Sequence, residues 1–169
     1  AANWFKKTAK SLKSDELKQS KISKPLPTSA GYVGRMYTFA YNPLPESKAK
    51  LPYYDTFPLI LPIEQYSDGF LGINLHYLPI PLRIRLLDRL IDFTNTKDLN
   101  KRTKIQTSYN RLKRVRLIKP TLKRYLNSRV KSDFRIIDAD EWTIATLLPV
   151  AKFKKASTNE VWRDSRKMI

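Results

Sequence analysis

The sequence predicts an α+β fold: a small, strongly bent antiparallel sheet or partial barrel followed by helices, with basic extensions at both ends. Three observations carry this. Short runs of β-forming aromatic and branched residues between positions 31 and 78 are punctuated by Gly, Pro and Asn. After Pro79 the apolar residues switch to helical spacing. The charge is confined to particular segments. Of 33 Lys+Arg and 15 Asp+Glu, residues 1–24 hold seven bases and two acids and residues 25–100 hold seven of each. Residues 101–135 hold thirteen bases and one acid, and residues 136–169 hold six and five. The chain therefore divides into a basic amphipathic N-terminal arm (1–24), a Pro-rich linker (25–30), a neutral α+β body (31–100), a basic, mostly helical extension (101–135) and a C-terminal segment (136–169).

In the arm, Trp4, Phe5, Ala9, Leu12, Glu16 and Leu17 recur at near-helical spacing with lysines on the other positions. Lys24-Pro25-Leu26-Pro27 reads as a stiff extended linker, because proline fixes φ and biases its predecessor toward extended backbone. Tyr32 to Tyr41 reads as a strand stopped by Asn42-Pro43, and residues 42–52 read as a Pro/Ser/Lys loop. Phe57-Pro58-Leu59-Ile60-Leu61-Pro62-Ile63 is apolar, but its two prolines point to an edge or irregular β segment. Ser67-Asp68-Gly69 is a turn signal, and Phe70 to Leu78 follows as a strand. Pro79 and Pro81 then open a helix in which Leu82, Leu86, Leu87, Leu90 and Phe93 share a face, with Arg83, Arg85, Arg89 and Asp92 away from it or at its margin. In the basic extension Ile105, Tyr109 and Leu112 have helical spacing. Pro120 interrupts it, and Leu122, Tyr125, Leu126 and Val130 form a second amphipathic set. Arg114 to Ile118 reads as either helix or strand. Asp138 and Glu141 have the spacing of a capping box before Trp142; the alternative is a strand through Trp142 to Leu148. The chain ends in a short basic stretch around Trp162.

Composition excludes several function classes. With no cysteine, neither a disulfide framework nor a Cys-based zinc site is expected. His76 is the only histidine, so a metal site would need carboxylates almost alone, and no metal or cofactor is expected. Apolar runs are too short to span a bilayer, and Ala1 to Lys7 lacks the apolar stretch of a secretion signal. The expectation is a soluble protein made in a cytoplasm.

The basic extension is the strongest functional signal. Lys101, Arg102, Lys104, Arg111, Lys113, Arg114, Arg116, Lys119, Lys123, Arg124, Arg129 and Lys131 are candidates for binding a polyanion or an acidic partner, because an ordinary solvated surface interleaves both signs. Contacts by several of them to phosphates would release counterions and give salt-steep DNA or RNA binding. Tyr109 and Tyr125 have the ring chemistry to stack on bases, though their spacing favours core anchoring. Helix-turn-helix spacing, zinc ligands and the aromatic pattern of RNA-recognition sheets are missing, so contacts are expected to the backbone. Trp4, Phe5, Tyr53 and Tyr54 are candidates for docking a partner, with packing against the sheet the equal alternative for the two tyrosines.

No catalytic constellation emerges, and the chain is read as not an enzyme. Glu46-Ser47-Lys48 has a Glu-x-Lys spacing but no preceding Asp to complete a metal-dependent nuclease signature. Asp138, Asp140 and Glu141 read better as a helix cap than as a chelate. Asp55, Glu64 and Asp68 suit turns, His76 suits a hydrogen-bonded structural role, and the four glycines form no phosphate-binding loop.

Leu51-Pro52-Tyr53-Tyr54-Asp55-Thr56-Phe57-Pro58-Leu59 and Gly69-Phe70-Leu71-Gly72-Ile73-Asn74-Leu75-His76-Tyr77-Leu78-Pro79, followed by the helix from Arg83 to Leu90, resemble segments of small basic virion-associated or structural proteins of T4-like tailed bacteriophages. The resemblance covers residues 31–93. It implies a place in a phage particle (tail, baseplate or neck) or a role beside packaged DNA. Taken together, the expected function is a structural or assembly component of a tailed-phage virion. Its basic arms would contact other virion proteins in a larger assembly, and DNA through the phosphate backbone. The alternative is a sequence-nonspecific DNA-binding accessory such as a DNA-end or packaging factor, with a metal-dependent nuclease a distant third.

Overall fold

The computed structural model describes residues 23–25, 33–94, 100 and 103–169. The expected N-terminal helix with Trp4 and Phe5, most of the linker, and Lys101 and Arg102 lie outside the described residues.

Six strands form one antiparallel sheet: β1 (Ser23–Pro25), β2 (Met36–Thr38), β4 (Leu59–Tyr66), β5 (Gly69–Asn74), β6 (Leu122–Leu126) and β7 (Arg135–Ile137), in the spatial order β1-β7-β2-β4-β5-β6. A two-stranded ribbon pairs β3 (Tyr54–Asp55) with β8 (Phe153–Lys154). The helices are α1 (Pro45–Lys50), α2 (Ile80–Ile91), α3 (Tyr109–Leu112), α4 (Trp142–Leu147) and α5 (Thr158–Met168). The α+β expectation holds, with the sheet open between edges β1 and β6 rather than closed into a barrel.

Both faces of the sheet are apolar. On β4, Leu59, Leu61 and Ile63 face a core shared with Leu86, Leu87 and Leu90 of α2 and Trp142 and Ala145 of α4. Ile60 points the other way, into an aromatic cluster of Tyr37, Phe39, Tyr41, Phe70 and Tyr125. This alternation follows from the two-residue period of a strand. Burial on both faces explains why β4 reads as a nearly unbroken apolar run. Phe39 centres the second cluster, its ring 5.5 Å from Tyr125, 5.9 Å from Phe70 and 4.8 Å from Phe134.

Several expectations are corrected. The Leu59–Ile63 segment is not an edge but follows the irregular alternative: an interior strand flanked by β2 and β5, with a break in its register. The β4–β5 register shifts between Pro62 and Glu64, a bulge directly after Pro62, which stays opposite Gly72 and accepts from the Gly34 N–H through its carbonyl at 2.9 Å. The strand expected through Leu78 ends at Asn74, whose side chain accepts from the His76 N–H and turns Leu75–Tyr77 into a 3₁₀ turn. The described residues 103–135 do not form a mostly helical extension. Their helix is the four-residue α3 and their Arg116–Ile118 segment is a 3₁₀ turn, while Leu122–Leu126 is the sheet strand β6, paired with β5 from Gly69↔Leu126 to Ile73↔Leu122. The basic segment is thus an integral edge of the body, which reached the sheet because Leu122 and Tyr125 fill opposite faces of it.

The structure chooses the helix for Trp142–Leu147, but Asp138 makes no side-chain cap there. The capping box lies instead at α5, where Ser157 Oγ accepts from the Glu160 N–H at 3.2 Å and Glu160 Oε2 accepts from the Ser157 N–H at 2.7 Å. The Ser67–Asp68 turn and the helix after Pro79 occur as expected. Arg83, expected at the margin of α2, is fully buried.

Candidate nucleic-acid interface

The outer face of α2 and the turn that precedes β6 enclose a depression of about 550 Å³ lined by Leu82, Arg85, Arg89, Arg114, Val115, Arg116, Leu117 and Ile169. Arg85 and Arg89 project together because they lie four residues apart on one helix. Arg114 and Arg116 flank Val115, whose N–H bonds the Leu112 carbonyl at 2.8 Å and holds the chain in the turn after α3. Leu82, Val115, Leu117 and Ile169 rest on the main core, so the floor is apolar and anchored while the rim is cationic. None of the four arginines makes an ion pair among the described residues. Four unpaired guanidiniums around an apolar floor suit a ligand carrying several phosphates and a flat apolar surface.

The remaining predicted cations divide by environment. Lys104, Arg111, Lys113, Lys119 and Lys131 are exposed, with the Arg111 guanidinium 4.8 Å from the centre of the Phe93 ring. Arg124 is ion-paired with Asp68 and packs over Tyr66 at 4.3 Å. Arg129 bonds the carbonyls of Asn42 and Pro43 at 2.8 and 3.3 Å, tying the 3₁₀ turn Asn127–Arg129 after β6 to the loop after β2. Lys123 sits 4.0 Å above the Tyr77 ring, where burial pushes its ammonium down to about 8. Of the two tyrosines weighed for stacking, Tyr109 is 44% exposed and Tyr125 is buried, bonding Asn74 through its hydroxyl at 3.0 Å. Tyr53 packs its ring near Tyr77 and Phe153, so packing against neighbouring aromatics accounts for it.

Arg85 and Arg89 belong to the depression yet fall outside the basic extension. A signal for them was present: α2 carries three arginines against Asp88 within its twelve residues, inside a body whose total charge is zero.

Behind the surface lies a buried polar network. Asp55 accepts from the Phe57 N–H at 2.9 Å and from Asn74 Nδ2 at 3.1 Å, and meets His76 Nδ1 at 2.8 Å. Burial holds His76 below its ordinary range against the opposing pull of Asp55, which favours the neutral ring; a neutral ring facing a carboxylate at Nδ1 would carry its proton there. The structural role expected for His76 fits this geometry. Arg83 bonds the Leu78 carbonyl through Nε at 2.7 Å and points Nη1 at the Thr146 and Leu148 carbonyls at the end of α4, satisfying acceptors that a helix terminus leaves open. Burial lowers its guanidinium to about 10, which still leaves it charged. Trp162 of α5 closes the network, donating to the His76 carbonyl at 2.9 Å.

Among the described residues no three His, Asp or Glu side chains group to hold a metal ion, and no helix is long and apolar enough to cross a membrane. A family model described as the phage T4 terminal DNA protecting protein matches residues 1–165. No curated protein and no solved structure matches the chain.

Proposed function

The chain belongs to the phage T4 terminal DNA protecting protein family, and from that premise we propose that it binds the ends of double-stranded DNA and shields them from exonucleases. The T4-like phage resemblance read from residues 31–93 agrees with this family. The family description favours the DNA-end alternative over a structural role in tail, baseplate or neck.

The observation that carries the reading is the depression of Arg85, Arg89, Arg114 and Arg116 around Leu82, Val115 and Leu117. A duplex end differs from its interior in presenting the flat apolar face of its last base pair beside flanking phosphates. The apolar floor covers such a face, and the guanidiniums meet the phosphates through charge-assisted, bidentate bonds that read no sequence. Nothing in the arrangement activates a nucleophile or holds a metal, so protection would be steric: an occupied end offers no substrate to an exonuclease.

The test compares a linear duplex with the same duplex closed at both ends by hairpin loops. Tighter binding to the open duplex and delayed exonuclease digestion are expected. Equal affinity for both, with digestion at the unprotected rate, would overturn the proposal.

A further inference from the structure

We propose that the cavity between α1, β3 and β6 is a second site, one that takes a single nucleotide, with its phosphate on Lys123 and Lys50 and its ring system against Tyr54. The inference rests on the DNA-end reading for the source of that nucleotide: the last, unpaired residue of a frayed end.

The cavity has a volume of about 420 Å³, within the range of small-molecule sites. Its charges are unbalanced. Arg124 is spent on Asp68, and the Asp55 oxygens are taken by Phe57, Asn74 and His76. Lys123 and Lys50 have no carboxylate partner among the described residues. Lys123 is moreover held away from water over the Tyr77 ring, and its lowered proton affinity reports that desolvation. A partly desolvated cation with no counter-charge is stabilised most by a bound anion, and a phosphate supplies one.

The aromatic wall points to what accompanies the phosphate. Of its tyrosines, Tyr41, Tyr77 and Tyr125 are all engaged with other rings. Tyr54 lines the cavity and has no ring or cation packed on it among the described residues. Leu51 beside it is 40% exposed. An open tyrosine face next to uncommitted lysines is the combination that single-stranded nucleic-acid sites use, stacking a base while cations track its backbone.

The experiment uses the full chain and a duplex whose terminal, unpaired nucleotide is a fluorescent adenine analogue. Anisotropy of a dye at the far end reports duplex binding, and the analogue's emission reports stacking in the cavity. A parallel titration uses the free monophosphate of the analogue. The expected result is an emission change on binding that weakens about tenfold in Lys123→Met and in Tyr54→Leu, while duplex affinity by anisotropy stays within about twofold. Lys50→Met, at an exposed site on α1, gives the same reading without touching packing. Duplex binding with no emission change, or an unchanged signal in all three variants, would overturn the inference. If the duplex itself fails to bind, the DNA-end reading is what has failed. A Lys123-dependent response to the free monophosphate would then support the cavity as a nucleotide site, and its absence would overturn it.

Discussion

If the arginine depression grips phosphates, removing two of its cations must change the salt dependence of DNA binding by a calculable amount. The perturbation is the double variant Arg89→Gln/Arg114→Gln, one change on α2 and one on the turn before β6. Both side chains are exposed and have no ion-pair partner among the described residues, so stability should move by no more than about 0.5 kcal/mol per site. Each phosphate neutralised contributes about −0.9 to the slope of log affinity against log salt, so the double variant should have a slope shallower by about 1.8. Over a fourfold rise in salt, the wild-type chain should therefore lose about twelvefold more affinity than the variant does. The comparison is a difference, so cations elsewhere on the chain cancel from it. Fluorescence anisotropy of a labelled duplex, repeated at four or five salt concentrations, reads both slopes. Lys154→Gln, an exposed cation on the small ribbon, is the control and should leave the slope unchanged. A double variant with the wild-type slope would refute the assignment of these arginines to phosphate. Weaker binding at every salt with an unaltered slope would refute it too, since that pattern marks a lost non-ionic contact.

Three further predictions follow from the interior. Gly34 has φ +85°, and a Cβ there would lie 2.6 Å from the Ile105 carbonyl oxygen, so Gly34→Ala should destabilise by roughly 2–4 kcal/mol, read as a lower denaturation midpoint; an unmoved midpoint would refute the strain. Phe39→Ala empties the centre of the aromatic cluster and should cost about 3–5 kcal/mol in chemical denaturation, whereas a cost under about 1 would mean that the cluster collapses around the gap. Burial lowers the proton affinity of His76 in the fold, so as pH falls below about 6.5 the unfolded chain takes up a proton first and stability declines. The slope should not exceed about 1.4 kcal/mol per pH unit between pH 6.5 and 5, with no loss from this group above 6.5; a flat profile over that window would contradict the neutral, buried assignment.

The elements legible in the sequence were those whose pattern is local. The Ser67–Asp68 turn and the helix after Pro79 carry their signals within a few residues, and so does the Ser157–Glu160 box, whose spacing Asp138–Glu141 shares without forming a cap. Spacing alone cannot separate the two, because a cap forms only where the chain turns so that the side chain meets the N3 amide. Leu122, Tyr125 and Leu126 fit a helical period and a strand about equally well over five residues. The choice was made by β5, whose open edge offered hydrogen bonds to Leu122–Leu126. Arg83 likewise looked like a surface cation, and only the convergence of α4 and the Leu75–Tyr77 turn supplied the carbonyls that make its burial tolerable.

The sequence by itself determined the class of fold, the absence of cysteine chemistry and the concentration of positive charge in residues 101–135, all of which are properties of composition and short-range order. Only the tertiary structure decided which cations remain uncommitted. Asp68 and the Asn42 and Pro43 carbonyls engage Arg124 and Arg129, while α2 brings Arg85 and Arg89 beside Arg114 and Arg116 across more than twenty residues of intervening chain. A charge count sums over the chain without regard to partners. A binding surface depends on which charges the fold leaves unpaired within a few ångströms of one another.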